Sequence, residues 1–92
     1  KIKLGNDELD SGDYKNAERL FREASEEATK KNKGKALYNL AMVLEITDRI
    51  EEALKEALNA NRYLQNDMSQ EYVEVLRKRK VDLDELKKQL GQ

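Results

Sequence analysis

A 36-residue echo constrains this chain more than any other feature: Leu4, Gly5, Ala17 and Ala24 return as Leu40, Ala41, Ala53 and Ala60. Spacing inside each set is kept as well, with 19 residues from Gly5 to Ala24 and 19 from Ala41 to Ala60. A glycine or alanine on one helix lets the backbone of its partner come near, while larger neighbours fill the flanking gaps. Two stacked helix-turn-helix units are therefore the expected framework, and the expected class is all-α.

Composition agrees with that class. Of the 92 residues, 40% are charged and 38% hydrophobic, with four glycines and no proline. Such a mixture suits solvent-facing helices that pack through narrow apolar stripes. At this length there is room for one small domain and little for a deep pocket. Lys and Arg total 18 against 19 Asp and Glu, so the chain has no net field to draw it to nucleic acid or an anionic membrane. Cysteine and histidine are absent, which removes disulfides, thiolate chemistry and the two commonest transition-metal ligands. No apolar run is long enough to span a bilayer, so no direct membrane insertion by this segment is expected. The chain starts at Lys1 and is expected to be a fragment of a longer protein.

Five helices are predicted. The first covers about Lys1 to Asp10 and ends at Ser11-Gly12, where glycine can turn left-handed. The second begins after Asp13, a good N-cap, and runs to Lys30-Lys31, whose charges suit a helix C-terminus. Asn32 to Gly34 are expected to break the chain before a third helix, about Lys35 to Ile46, that stops at Thr47-Asp48. Asp48 with Glu51 reads as a capping box for a fourth helix, Ile50 to Leu64. Asp67 with Gln70 reads likewise for a fifth, Met68 to Leu90, with Asp82 and Glu85 as an alternative restart. The single domain then consists of repeat one at about 1–31, repeat two at about 34–64 and a capping helix at about 68–90.

On these residues the chain resembles the tetratricopeptide repeat (TPR) family, whose helix-turn-helix unit has about 34 residues. The matching residues are Leu4-Gly5, Gly12-Asp13-Tyr14, Ala17, Phe21 and Ala24, then Leu40-Ala41, Ile50, Ala53 and Ala60. Departures are Lys1 and Leu37 in place of an aromatic, Ala57 in place of a large residue, and no proline closing either unit. The longer spacing is expected to sit in the Asn32–Gly34 turn. More narrowly, the segments ALYNLAMVLEITDRIEEALKEALNANRYLQND and EYVEVLRKRKVDLDELKKQL are similar to the C-terminal helical region of uncharacterised lipoproteins from Bacteroidota. That likeness implies a lipid-anchored parent at the cell envelope; without it, a cytoplasmic location is expected.

The TPR resemblance implies a curved array in which the first helix of each pair lines a concave face that takes a peptide or protein partner. The candidate contacts are Asn6, Leu9, Lys35, Tyr38, Asn39, Met42 and Glu45. Asn6 and Asn39 match the two asparagines with which chaperone-binding members hold a client's terminal carboxylate. The accompanying cations are missing: the first basic position is Ile2, and the basic pair falls near Ser69 and Val73. Solvent-facing helix residues are the expected role of both asparagines. Tyr38 and Met42 stand one turn apart and either cradle a partner's apolar side chain or pack on the next helix.

On the last helix, Tyr72, Leu76, Arg79, Leu83, Leu86 and Leu90 form a heptad seam with one charged interruption. Its first half is expected to cap the second repeat. Leu83, Leu86 and Leu90 are candidates for self-association, which makes a homodimer or envelope spacer the alternative to a peptide-binding scaffold. Arg77-Lys78-Arg79-Lys80 is surrounded by acids and reads as a solvated face rather than a nucleic-acid site. Paired acids such as Glu51-Glu52 diverge on a helix and have no apolar pocket to shift their protonation. No enzyme activity, metal or cofactor is expected.

Overall fold

The computed structural model describes residues 12–27 and 29–91, with the Glu27 side chain left aside. The predicted first helix, with Leu4, Gly5, Asn6 and Leu9, lies outside the described residues. The described chain forms four helices: α1 (Tyr14–Glu27), α2 (Lys30–Ile46), α3 (Ile50–Leu64) and α4 (Asp67–Leu90). It is all-helical, and each helix packs on the one before it through a short connection. Among the described residues, no helix is long and apolar enough to cross a membrane.

The core is built from one stripe of each helix. Phe21, Leu40, Val43, Leu44 and Leu76 are its large, fully covered members. Between them lie small residues: Ala17, Ala36, Ala41, Ala53 and Ala60 have no exposed surface at all, and Ala57 has 1%. On α3 the three buried alanines recur at i, i+4 and i+7, so that helix offers its partners an almost bare backbone face. Ala57 stands where the first unit carries Phe21, and both are buried.

The predicted break at Asn32–Gly34 is corrected: α2 begins five residues before Lys35 and runs through it. Gly34 is buried inside the helix, not a turn residue. A Cβ at that position would stand 2.8 Å from Leu64 Cγ and 3.0 Å from Tyr63 Cβ, so glycine is there because α3 crosses at that point. α1 accordingly ends at Glu27, and Lys30 and Lys31 open α2 instead of closing α1. Thr29 is the N-cap in extended conformation, without a side-chain capping bond.

Both predicted capping boxes are also displaced. Asp48 does not cap α3; it adopts a left-handed conformation (φ 64°) and closes α2. Its amide donates to the Glu45 carbonyl at 3.1 Å and the Arg49 amide to the Leu44 carbonyl at 2.8 Å, the paired bonds of a Schellman closure with aspartate in the usual glycine place. Arg49 is the N-cap residue of α3. At α4 the box is Asn66 with Ser69: Asn66 Oδ1 accepts from the Ser69 amide at 2.8 Å, and Ser69 Oγ accepts from the Asn66 amide at 3.3 Å. Ser69, 1% exposed, also donates through Oγ to Asn61 Oδ1 at 2.7 Å, which ties the α4 cap to α3. Other expectations hold. Asp13 Oδ1 accepts from the Asn16 amide at the start of α1, Gly12 is left-handed (φ 86°), α3 has its predicted bounds, and α4 continues past Asp82 without a restart.

Small residues at these contacts set the helix separations. Ala53→Leu or Ala17→Leu is expected to cost about 1–3 kcal/mol by overpacking. The denaturation midpoint measures it, and an unchanged midpoint would contradict the packing. Gly34→Val should likewise lower the midpoint, because its Cβ meets α3 backbone-anchored atoms.

Candidate functional site

Among the described residues, one stripe of α2 is at least partly open to solvent. Lys35, Asn39, Met42 and Ile46 follow at spacings of four, three and four, which places them on one helical face. Lys35 is exposed, Asn39 and Met42 are half-buried, and Ile46 is 48% exposed. Ile46 is the member that sequence reasoning missed, although the continued spacing carried the signal. Asn6 and Leu9, expected on the same surface, lie outside the described residues. The positions that the TPR likeness assigned to a basic pair, Ser69 and Val73, are both buried and offer no charge to a ligand.

Tyr38 and Glu45 sit on the flank of this stripe nearest α4, and the structure couples them to that helix. The Tyr38 and Tyr72 rings lie 4.9 Å apart between centroids, tilted by 42°. Glu45 Oε1 accepts from the Tyr72 hydroxyl at 2.7 Å, and Glu45 Oε2 accepts from Arg79. Both carboxylate oxygens are thus engaged within the chain. Glu45 joins α2 to α4, and Arg79, the charged interruption of the α4 seam, is the cation that balances it. Tyr38 packs against the core cluster beside Tyr72, and both Tyr38 and Met42 are half-buried.

Burial, followed by the hydrogen bond to and charge of Glu45, pushes the Tyr72 hydroxyl well above the ordinary tyrosine range. The folded chain holds this proton more tightly than the unfolded chain. The stability linked to it is whole below about pH 10 and is lost as pH rises beyond that value.

The three self-association candidates divide. Leu83 is half-buried in a corner formed with Asp48, Arg49 and Ile50 at the start of α3. Leu86 and Leu90 are 50% and 77% exposed. From Asp84 to Gly91 every residue is exposed, so the end of α4 runs past the body of the domain. The basic run is largely spent on neighbours: Arg77 pairs with Glu74, Arg79 with Glu45, and Lys80 with Asp84 and Glu51.

A second charged network holds the opposite side together. Glu18 on α1 receives Arg49 at 2.6 Å and Arg22 at 3.0 Å, and Glu52 receives Arg49 at 2.7 Å. The hydrogen bond from Arg49 is the main cause that lowers the Glu52 carboxyl below its usual range. These pairs are partly exposed and act as a clamp among α1, α3 and the α2–α3 turn, each contributing little singly. Among the described residues no group of three or more His, Cys, Asp or Glu is arranged for a metal ion, and no buried side-chain polar atom lacks a partner.

The family described as Domain of unknown function (DUF6340) matches residues 3–78. No curated protein and no solved structure matches the chain. The matched span takes in α1 to α3 and the buried part of α4, and it stops before the exposed end of that helix.

Glu45→Gln removes the charge beside Tyr72. In an ultraviolet titration the Tyr72 hydroxyl of this variant should ionise at lower pH than in the parent chain. Its stability should also fall less steeply above pH 10. Equal titration of the two proteins would show that Glu45 does not govern Tyr72.

Proposed function

We propose that this chain, which belongs to the DUF6340 family, is a protein-interaction or scaffold module that presents the α2 face to a peptide or protein partner. The observation that carries the reading is the partly open stripe Lys35, Asn39, Met42 and Ile46, backed by the alanine-faced α3 and joined at its side to α4 by the Glu45–Tyr72–Arg79 link. Met42 and Ile46 supply apolar contact, and Asn39 supplies a donor and an acceptor for a partner's backbone. Glu45 acts indirectly, by fixing α4 against α2. The module works without catalysis: a preformed surface lowers the ordering cost of association.

We read the helices as two tetratricopeptide-like units capped by α4. Support comes from Ala17 and Ala24 and their counterparts Ala53 and Ala60, all four of which are buried. In such an array the second helix of each pair is scaffold and the first faces the ligand, which agrees with α2 carrying the open stripe.

A second reading, a structural dimerisation or spacer element of a cell-envelope protein, is favoured by one observation: the exposure of Leu86 and Leu90 on the end of α4. The two readings use different faces and are separable.

Selection of short linear peptides from a displayed library on the purified chain tests the first reading. Peptides selected on the parent chain should bind Met42→Glu and Asn39→Ala variants roughly tenfold more weakly or worse. Both variants should keep the parent's melting temperature. Selected peptides that bind all three proteins equally would remove the α2 face from the proposal.

A further inference from the structure

We infer that α2 and α4 are the two walls of one groove, and that it takes an extended peptide segment with an acidic residue and a large apolar residue about three positions apart. The inference rests on the first reading above, a peptide partner at the α2 face, and names that partner's chemistry.

The groove follows from where the two helices touch. Tyr38 meets Tyr72 and Glu45 receives Arg79, and both contacts join residues 34 positions apart. α2 and α4 therefore run in the same direction, with Met68 level with Lys35 and Val75 level with Met42. Lys35 and Met42 stand one turn either side of Tyr38, as Met68 and Val75 do of Tyr72, so each lies within roughly 60° of its tyrosine. The buried residues lie on the other side: Leu37 and Ala41 on α2, Val73 and Leu76 on α4. All four wall residues thus share the open side of the Tyr38–Tyr72 contact, which forms the floor. Met68 and Val75, 58% and 55% exposed, are apolar side chains that this groove accounts for.

Charge distinguishes the two ends of the groove. Lys31 and Lys35, one turn apart on α2, are both exposed, and among the described residues neither has a carboxylate partner. α2 opens with Lys30, Lys31 and Lys33 and has no acid in its first turn, the reverse of what the helix dipole favours. Glu71 on α4 stands about 100° round from Tyr72, on the outer flank beyond Val75. At the other end Glu45 is already balanced by Arg79 and hydrogen-bonded to Tyr72, where Met42, Ile46 and Val75 gather. One end therefore calls for an anion and the other for an apolar group.

Spacing sets the form of the occupant. Lys35 and Met42 are about 10 Å apart along the α2 axis, which an extended chain spans in about three residues. Asn39 lies between them, and its amide suits a backbone with free N–H and C=O groups. An extended segment offers those groups, whereas a helix has already paired them. A basic segment would add cations beside Lys31 and Lys35, and a wholly apolar one would leave them uncompensated.

A displayed library of random peptides of about twelve residues, selected on the parent chain, tests the assignment. Selected peptides should be enriched in Asp or Glu about three positions from Leu, Ile, Met or Phe, in either order. In fluorescence anisotropy a labelled peptide from this set should bind Lys35→Glu roughly tenfold more weakly, and should weaken as salt is raised. Val75→Ser should weaken it several-fold with the salt dependence kept. Selection on the double variant Lys31→Glu, Lys35→Glu should return peptides rich in Lys and Arg. These substitutions alter exposed side chains, and far-UV circular dichroism checks that each variant folds. Peptides that require Met42 and Asn39 yet show no acidic enrichment and bind Lys35→Glu undiminished would overturn this inference and leave the proposed function standing. Binding unchanged in Val75→Ser would remove α4 from the groove and overturn it as well. A selection that yields no binding peptide would overturn both.

Discussion

Everything in this fold depends on how closely α3 can approach α2. Ala53, Ala57 and Ala60 remove side-chain bulk from one face of α3, and Gly34 removes it from α2 at the point where Tyr63 and Leu64 pass. With helices this near, Leu40, Val43 and Leu44 reach across and are fully covered even though the domain is small. A larger residue at any of these positions would separate the helices along their whole length, because packed interiors do not absorb added volume locally.

α4 is attached by two different kinds of contact. Near its start, Ser69, Val73 and Leu76 enter the core, and the Ser69–Asn61 hydrogen bond fixes the cap to α3. Farther along, attachment is polar: Glu45 gathers Tyr72 and Arg79, and Lys80 reaches Glu51 at 3.7 Å. Beyond Asp84 the helix has only its own hydrogen bonds and short-range charge pairs, and its apolar residues stay in water. A helix end of that kind gains from being covered, whereas the α2 stripe, mixed in polarity, is stable uncovered.

Much of this was legible in the sequence. The 36-residue return of small residues located four buried alanines, Ala17 and Ala24 on α1 and Ala53 and Ala60 on α3, and missed Ala57, whose counterpart is Phe21. The bounds of α3 came out as expected although Asp48, the cap assigned to its start, closes α2 instead, and of the two readings of the last helix the continuous one is observed. What was not legible depended on tertiary neighbours. Gly34 has the same letter whether it ends a helix or admits another one, and only the passage of Leu64 decides between them. Asp48 is an equally good N-cap and left-handed closing residue; the Schellman bonds at the end of α2 won. Glu45 looked like a ligand contact because its partners, Tyr72 and Arg79, lie 27 and 34 residues away. Ile46 could have been found by extending the α2 stripe one more turn.

Amide hydrogen exchange, measured residue by residue on the dilute chain, tests most directly whether the small-residue α2–α3 contact is the structural centre. The slowest exchange should cluster at residues 37–44 and 53–60, and protection should fall away along α4 beyond Asp84. Protection that peaked in α1 or α4, or that stayed level from Asp67 to Leu90 at low concentration, would contradict this account.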